Sequence, residues 1–313
     1  AELWWTILLL VLFSKHDCCA MTSTCSKKSA LVTGSTDGIG LTTAKNLAAK
    51  GYNVIVHGRN EAKIQAAAQT VQKFASEKTG GDGVSVYSIN ADLSTIRGSE
   101  TLASQVKSLC ENHDLELSVL MNNAGAFTTD RKITSDGHEL TFAVNVISPF
   151  ILTSHLLPLL LRQKSRIVIT SSIAQSRSIQ DWKDLTYSRR TYNGYESYGE
   201  SKLLDAMMTM EFADRLQNAG LGTDRITCNC LHPGVVNTNM LQAGWGSGGI
   251  SVDSALDQTW LCTDEELENT TGKFYVRRQE SWTQYSAGER KKMWDTLADI
   301  APDAAAMWDF KWM

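Results

Sequence analysis

The chain has no C-x-x-C pair among its seven cysteines, Cys18, Cys19, Cys25, Cys110, Cys228, Cys230 and Cys262. That argues against a zinc site or a thioredoxin-like redox centre, and no metal is expected. An odd number of scattered thiols fits a reducing compartment better than a disulfide framework. There is no long basic run, and the formal net charge is -4, so no nucleic-acid partner is expected. No internal repeat is evident, which excludes a solenoid. The apolar run at residues 3–13 (LWWTILLLVLF) is too short to span a bilayer in the usual way.

Three readings of that run compete: the tail of a signal or anchor segment, an interfacial anchor, or a segment packed on a partner. Trp4 and Trp5 suit a membrane interface, and Cys18-Cys19 offers a site for a lipid chain. The chain begins at Ala1 rather than Met, as upstream processing would leave it. The expected location is intracellular, with membrane or organelle association through this segment. Asn269-Thr270-Thr271 matches the glycosylation sequon, which outside the secretory route goes unused.

What is present is an alternation of strand and helix signals. Apolar strands are expected at 29–33, 53–57, 84–89, 117–121, 166–170, 225–231 and 273–276. Between them lie helices at 38–50, 61–78, 99–111, 135–161, 198–219 and 251–262, with Pro149 and Pro158 as kink points. Right-handed crossovers of this kind build a Rossmann-type, doubly wound parallel sheet of about seven strands with helices on both faces. The expected division is an apolar segment and linker at 1–26, one α/β domain at 27–285 with a substrate loop at about 239–262, and a C-terminal helix with a Trp-rich tail at 286–313. That tail carries Trp294, Met307, Trp308, Phe310 and Trp312. It could pack on its own domain, on a second subunit or on a membrane, and a homo-oligomer is possible on the same grounds.

The first strand runs straight into Thr33-Gly34-Ser35-Thr36-Asp37-Gly38-Ile39-Gly40, and a helix follows. Glycines there allow a tight turn and close approach of a pyrophosphate at the helix N-terminus. The second strand ends His57-Gly58-Arg59-Asn60. An NAD site wants an acid at that point to hold the ribose hydroxyls. Arg59 would instead meet a 2′-phosphate, which favours NADP(H) over NAD(H). Asp92-Leu93 follows the third strand, Asn122-Asn123-Ala124-Gly125 the fourth, and Pro233-Gly234-Val235-Val236-Asn237-Thr238 the sixth. Each is an ordinary loop alone. Together they share the C-terminal strand edge, where open α/β sheets bind ligands.

Tyr198 and Lys202 stand four residues apart in Tyr-Gly-Glu-Ser-Lys. On a helix they share one face. A fixed ammonium beside a phenol favours the phenolate, and such a Tyr can exchange a proton with a substrate oxygen. YxxxK alone equally describes a solvated helix face; its company with the Gly-rich turn is what points to hydride transfer.

These residues resemble the short-chain dehydrogenase/reductase family. The matching pieces are Thr33 to Gly40, Asp92-Leu93, Asn122 to Gly125, Asn145, Ser171-Ser172, Tyr198 to Lys202 and Pro233 to Thr238, in order over residues 27–280. Within the family, His232-Pro-Gly-Val-Val, Ser201-Lys-Leu and Gly272-Lys-Phe-Tyr, with Asp184-Leu185 in the long stretch before Tyr198, look like the retinol dehydrogenase and WW-domain oxidoreductase group. The resemblance implies Tyr198 as general acid in reduction and base in oxidation. It implies Lys202 as the group that eases the ionisation of Tyr198 and holds the nicotinamide ribose, and Ser172 rather than Ser171 as donor to the reacting carbonyl. Asn145 would support a water that relays protons to Lys202. A lipophilic carbonyl or alcohol is the implied substrate.

One departure concerns residues 241–251 (LQAGWGSGGIS), short and Gly-rich where relatives often carry a longer lid. A more open pocket, or a disordered lid, is the expectation from that. Two other functions stay open at this stage. A structural or adaptor subunit could keep the dinucleotide site while held in an assembly by residues 3–13 and 293–313. A light-driven protochlorophyllide reductase-like enzyme would share the Tyr/Lys pair and NADPH, but the run after Lys202 (LLDAMMTMEF) does not look like that group.

Overall fold

The structure is a computed structural model that describes residues 28–80, 83–283 and 285–313. The apolar run at 3–13, with Cys18 and Cys19, lies outside the described residues.

Eight strands form one sheet in the order β3-β2-β1-β4-β5-β6-β7-β8. They are β1 (Lys28–Val32), β2 (Asn53–Gly58), β3 (Val86–Asn90), β4 (Glu116–Asn122), β5 (Ser165–Thr170), β6 (Ile226–His232), β7 (Phe274–Val276) and β8 (Gln279–Ser281). The first seven are parallel, and β8 pairs antiparallel with β7. The strand direction of growth reverses between β1 and β4, which opens a crevice above their C-terminal ends.

The eighth strand corrects the expected count of seven. Its hairpin turns on Arg277-Arg278, both in the left-handed region with φ of 51° and 62°. A two-residue turn of that shape is usually marked by Asn-Gly or Asp-Gly, and β8 has no buried side chain to give it a pattern.

Helices α1 (Gly38–Ala49), α2 (Glu61–Thr79), α3 (Ile96–His113), α4 (Leu140–Leu160), α5 (Gly194–Asn218), α6 (Asn239–Trp245), α7 (Asp257–Thr263), α8 (Ala287–Ile300) and α9 (Pro302–Ala306) follow in chain order. One apolar layer joins the sheet to α1, α2 and α7 through residues such as Leu47, Ile64 and Leu261. The other joins it to α3, α4, α5 and the C-terminal helices through Leu102, Phe150, Phe212 and Trp294. Burial of such side chains, about 1.5–3 kcal/mol each, is the main force holding the layers together.

Four helix starts differ from expectation. Thr95 caps α3 by accepting from Gly98 N, so the helix begins at Ile96 and not at 99. Glu139 caps α4 by accepting the N–H groups of Thr141 and Phe142, so the helix begins at Leu140 and not at 135. Asn193 caps α5 through the N–H groups of Tyr195 and Glu196, so the helix begins at Gly194 and not at 198. Residues 251–256 hold a short 3-10 turn, and the helix proper starts at Asp257. Helix α4 has mean hydropathy 1.6 and is long and apolar enough to cross a membrane, but it is 83% buried inside the fold and is a core helix. The Trp-rich tail packs on its own domain. Trp308 is buried, stacks on Phe212 at 4.4 Å and donates its indole N–H to Ser154 Oγ at 2.7 Å.

Candidate active site

The turn after β1 is held by contacts that leave no room for larger residues. Gly38 adopts φ of 57°, and a Cβ on Gly40 would lie 2.4 Å from the Gly34 carbonyl oxygen. Asp37 caps α1 by accepting from Gly38 N at 2.7 Å. Asn123, past β4, donates its amide to the carbonyls of Thr33 (2.8 Å) and Gly34 (3.1 Å) and so ties the turn to the neighbouring strand. His57, at the end of β2, braces it from below. Its Nδ1 accepts from Gly34 N at 3.1 Å, which leaves Nε2–H to donate to the Ala91 carbonyl at 3.2 Å. Burial lowers the pKa of this imidazole to about 4, so it is neutral at pH 7.

Above these strand ends lies one cleft of about 1010 Å³. That is larger than a pocket for one small molecule needs. Of the residues expected at a cofactor site, Gly34, Thr36, Asp37, Gly38, Ile39, Gly40, Arg59, Asp92, Leu93, Asn123, Ala124, Gly125, Tyr198, Lys202, Pro233, Gly234, Val235, Val236 and Thr238 line it. Ser35 and Asn60 do not. The Ser35 hydroxyl is buried, donates to the Val32 carbonyl and accepts from His57 N. Asn60 caps α2 by accepting from Lys63 N at 3.0 Å. Both have their side chains committed to the backbone, which residue type alone did not reveal.

At the far end of the cleft, Tyr198 and Lys202 project from α5, with Nζ 5.6 Å from the phenol ring centre. Ser172 lines the same wall, its Oγ accepting from Ala174 N at 3.0 Å. Ser171 is committed elsewhere and donates to the Lys202 carbonyl at 2.7 Å. Asn145 is buried in a π-helical stretch, Ala143–Ile147, of the kind found at functional sites. Its Oδ1 accepts from Ala126 N at 2.7 Å, and its Nδ2 donates to Ser201 Oγ at 2.9 Å. Pro149, four residues on, has no N–H to give the Asn145 carbonyl. The Lys202 ammonium donates to the Thr170 carbonyl and to Asp205 Oδ2, both at 2.8 Å.

The stretch at 241–251 is not an open gap. Helix α6 lies across the cleft, tied at its start by Asn239 Nδ2 donating to Asp37 Oδ2 at 2.7 Å. At its other end the Tyr195 hydroxyl donates to the Gly244 carbonyl. Trp245 then sits 4.7 Å from Phe127 and 5.3 Å from Tyr198, ring centre to ring centre. The glycines flanking Trp245 hid this short helix from a pattern reading.

Gln258 on α7 is a second residue without a sequence signal. It is fully buried, accepts from Thr43 Oγ1 at 2.7 Å and donates to Asn123 Oδ1 and Thr170 Oγ1, both at 2.9 Å. It joins α1, β4 and β5 directly beneath the cleft.

A Gly-rich turn under a helix N-terminus, at the reversal point of a parallel sheet, is the construction of a dinucleotide-binding protein, and the Tyr/Lys face makes this one an oxidoreductase. The sequence profile of the short chain dehydrogenase family matches residues 28–245. Human retinol dehydrogenase 13 is 32% identical over 278 residues, covering 82% of this chain and 78% of the relative. Human polyprenol dehydrogenase is 29% identical over 291 residues, covering 87% and 84%. A solved short chain dehydrogenase from Shigella flexneri, complexed with NADP, is 26% identical with a TM-score of 0.60 over 80% of this chain and 96% of its own. The chain belongs to the short-chain dehydrogenase/reductase family, in its retinol dehydrogenase-like group, and acts on CH–OH or C=O groups.

Proposed function

We propose that the chain is an NADP(H)-dependent carbonyl reductase or alcohol dehydrogenase of a lipophilic small molecule. The observation that carries this reading is that Tyr198, Lys202 and Ser172 line the same cleft as the glycine turn. The nicotinamide dinucleotide supplies or accepts the hydride when bound. Its pyrophosphate suits the Gly34 to Gly40 turn at the start of α1, and Asp92 suits an adenine amine. Arg59 is exposed at the end of β2, where no carboxylate competes for a ribose hydroxyl, and a 2′-phosphate suits it. The backbone of Pro233 to Val236 and the side chain of Thr238 suit the carboxamide.

Tyr198 donates its proton to the carbonyl oxygen in reduction and recovers it in oxidation, and Ser172 donates a hydrogen bond to the same oxygen. Lys202 places its positive charge beside the ring of Tyr198, with Nζ 5.6 Å from the ring centre. Asn145 holds the loop at Ala126 and the α5 hydroxyl of Ser201, and its carbonyl is the acceptor for a relaying water. Apolar side chains of Phe127, Leu140, Val144, Met240, Leu241 and Trp245 line the substrate side. They favour an oily carbonyl, as the names of the retinol and polyprenol dehydrogenase relatives suggest.

The test is turnover of NADPH and NADH against aliphatic, aromatic, steroid and retinoid carbonyls. Tyr198→Phe should lose roughly 10²- to 10⁴-fold in kcat while binding NADPH within a few-fold of wild type. A variant that kept full turnover would refute the assigned acid.

A further inference from the structure

Asp205 lies one turn beyond Lys202 on α5, and no role has so far fallen to it. Its neighbours Leu203, Leu204, Ala206 and Met207 are all buried and apolar. Asp205 is as deeply buried: its side chain is 1% exposed, that of Lys202 5%. Oδ2 accepts from the Lys202 ammonium at 2.8 Å, while Oδ1 is buried with no hydrogen-bond partner among the described residues. A carboxylate in such a place costs the fold free energy that one ion pair seldom returns, and an apolar residue of similar size often serves stability as well or better. The carboxylate is therefore poorly explained by folding.

Its effect on Lys202 is direct. Burial works against the charged ammonium, but Asp205, foremost among the groups that favour it, and then Tyr198 and Cys230 together hold the Lys202 pKa above the ordinary lysine range. Tyr198 on the same helix and Cys230 on β6 are the other titratable groups acting on Lys202. The Cys230 thiol is pushed up to about 12 by burial and stays neutral. From β5 the ammonium meets the Thr170 carbonyl, which carries no charge to offset it. Burial pushes the Asp205 carboxyl itself up to about 7, against the opposing pull of Lys202, so it is the near anion that holds the buried ammonium charged on the alkaline side of neutrality.

We propose that Asp205 is a positioning residue for the reaction: it fixes the Lys202 ammonium beneath the cleft and keeps it protonated as pH rises above neutrality, so that Tyr198 still faces a positive charge there. The proposal rests on the oxidoreductase reading above, in which Lys202 serves Tyr198. It assigns the acid on α5 a duty that the Tyr-x-x-x-Lys spacing does not contain. Removing the charge while keeping the shape leaves Lys202 with two neutral acceptors in a buried place, and its pKa must fall.

The experiment compares wild type with Asp205→Asn and Asp205→Glu across pH, by kcat/KM and by NADPH affinity from fluorescence titration, with thermal melts to verify folding. Wild type should keep Lys202 charged through the range in which an ordinary lysine loses its proton. In Asp205→Asn, activity and NADPH affinity should both fall away on the alkaline side at least ~1 pH unit earlier, a loss of about tenfold where wild type is still on its plateau. Asp205→Glu keeps the charge and should hold the alkaline limb where wild type has it. A uniform loss at all pH values in Asp205→Asn, with no displaced limb, would mean that the residue only supports the fold, and the proposal would be wrong. So would a Glu variant displaced as far as the Asn variant. If wild type binds NADPH yet turns over no carbonyl, the oxidoreductase reading fails. The pH dependence of NADPH binding in the two variants then still decides the role of Asp205.

Discussion

The Trp245 indole and the Tyr198 phenol meet edge to face, their ring centres 5.3 Å apart and their planes at 63°. Phe127 touches both rings, at 4.7 Å from the indole and 6.0 Å from the phenol. All three rings line the cleft, so a substrate bound at Tyr198 lies near this aromatic group. A flat or extended unsaturated molecule can take the place of one ring contact with another, whereas a small aldehyde cannot. Such contacts are each worth about 0.5–1.5 kcal/mol. Trp245→Ala should therefore raise KM for bulky lipophilic carbonyls roughly 2- to 10-fold and leave that for small aldehydes nearly unchanged. Steady-state kinetics on a size series reads this out. An equal effect on all substrates would show that Trp245 stabilises α6 and does not select.

Arg59 stands exposed at the end of β2, in the cleft wall, beside the neutral His57. A charge-assisted contact to a phosphate group at such an exposed site is worth on the order of 1.5 kcal/mol. Arg59→Ala should weaken NADPH about tenfold and NADH hardly at all. Titrating both dinucleotides into both proteins measures it. If the two affinities fall in parallel, Arg59 is not a phosphate ligand, and the ground for an NADP(H) preference is removed.

Gln258 links Thr43, Asn123 and Thr170 through three hydrogen bonds of 2.7–2.9 Å. Gln258→Leu preserves the bulk and leaves those partners without it in a dry place. The cost of stranding them should be roughly 2–4 kcal/mol, or a melting temperature lower by about 3–6 °C for a chain of this size. NADPH affinity should fall as well, because Asn123 also holds the glycine turn. Melting curves with and without NADPH test both parts. A variant as stable as wild type would show that the buried bridge contributes nothing.

The backbone of the fold was legible because parallel strands buried on both faces read as apolar runs, and α1 and α2 are bounded by the polar or glycine residues Asp37, Lys50, Asn60 and Gly80. Tyr198, Lys202 and the glycine turn were legible for a related reason: each depends on local spacing. What stayed hidden depends on contacts across long distances. Gln258 meets Thr43 over 215 positions and Asn239 meets Asp37 over 202, and no short window contains either pair. Ser35 and Asn60 mislead in the opposite sense. Their types suit a ligand, but local backbone groups take their side chains first. Asp205 was the one missed residue within reach, since a carboxylate three places after a lysine shares its helix face.

His57 stands at the end of β2, just before the position where the sequence suggested a ribose contact, and it is a strut beneath the glycine turn. It is almost wholly buried, and its pKa is lowered to about 4, chiefly by burial, from an ordinary value near 6.5. Below pH 6.5 the unfolded chain takes up a proton that the folded chain refuses. The stability this imidazole confers is then fully present above about pH 6.5 and is lost progressively as pH falls towards 4. A separation of that size corresponds to about 3 kcal/mol. His57→Gln can still accept from Gly34 N and donate to the Ala91 carbonyl, but it does not titrate. On acidification from pH 7 to pH 4, wild type should lose about 2–3 kcal/mol more than the variant, read as the difference between their urea unfolding free energies. Carboxylates titrate in both proteins and cancel in that difference. Parallel losses would mean that protonation of His57 is tolerated in the folded state, and that the glycine turn does not need its neutral form.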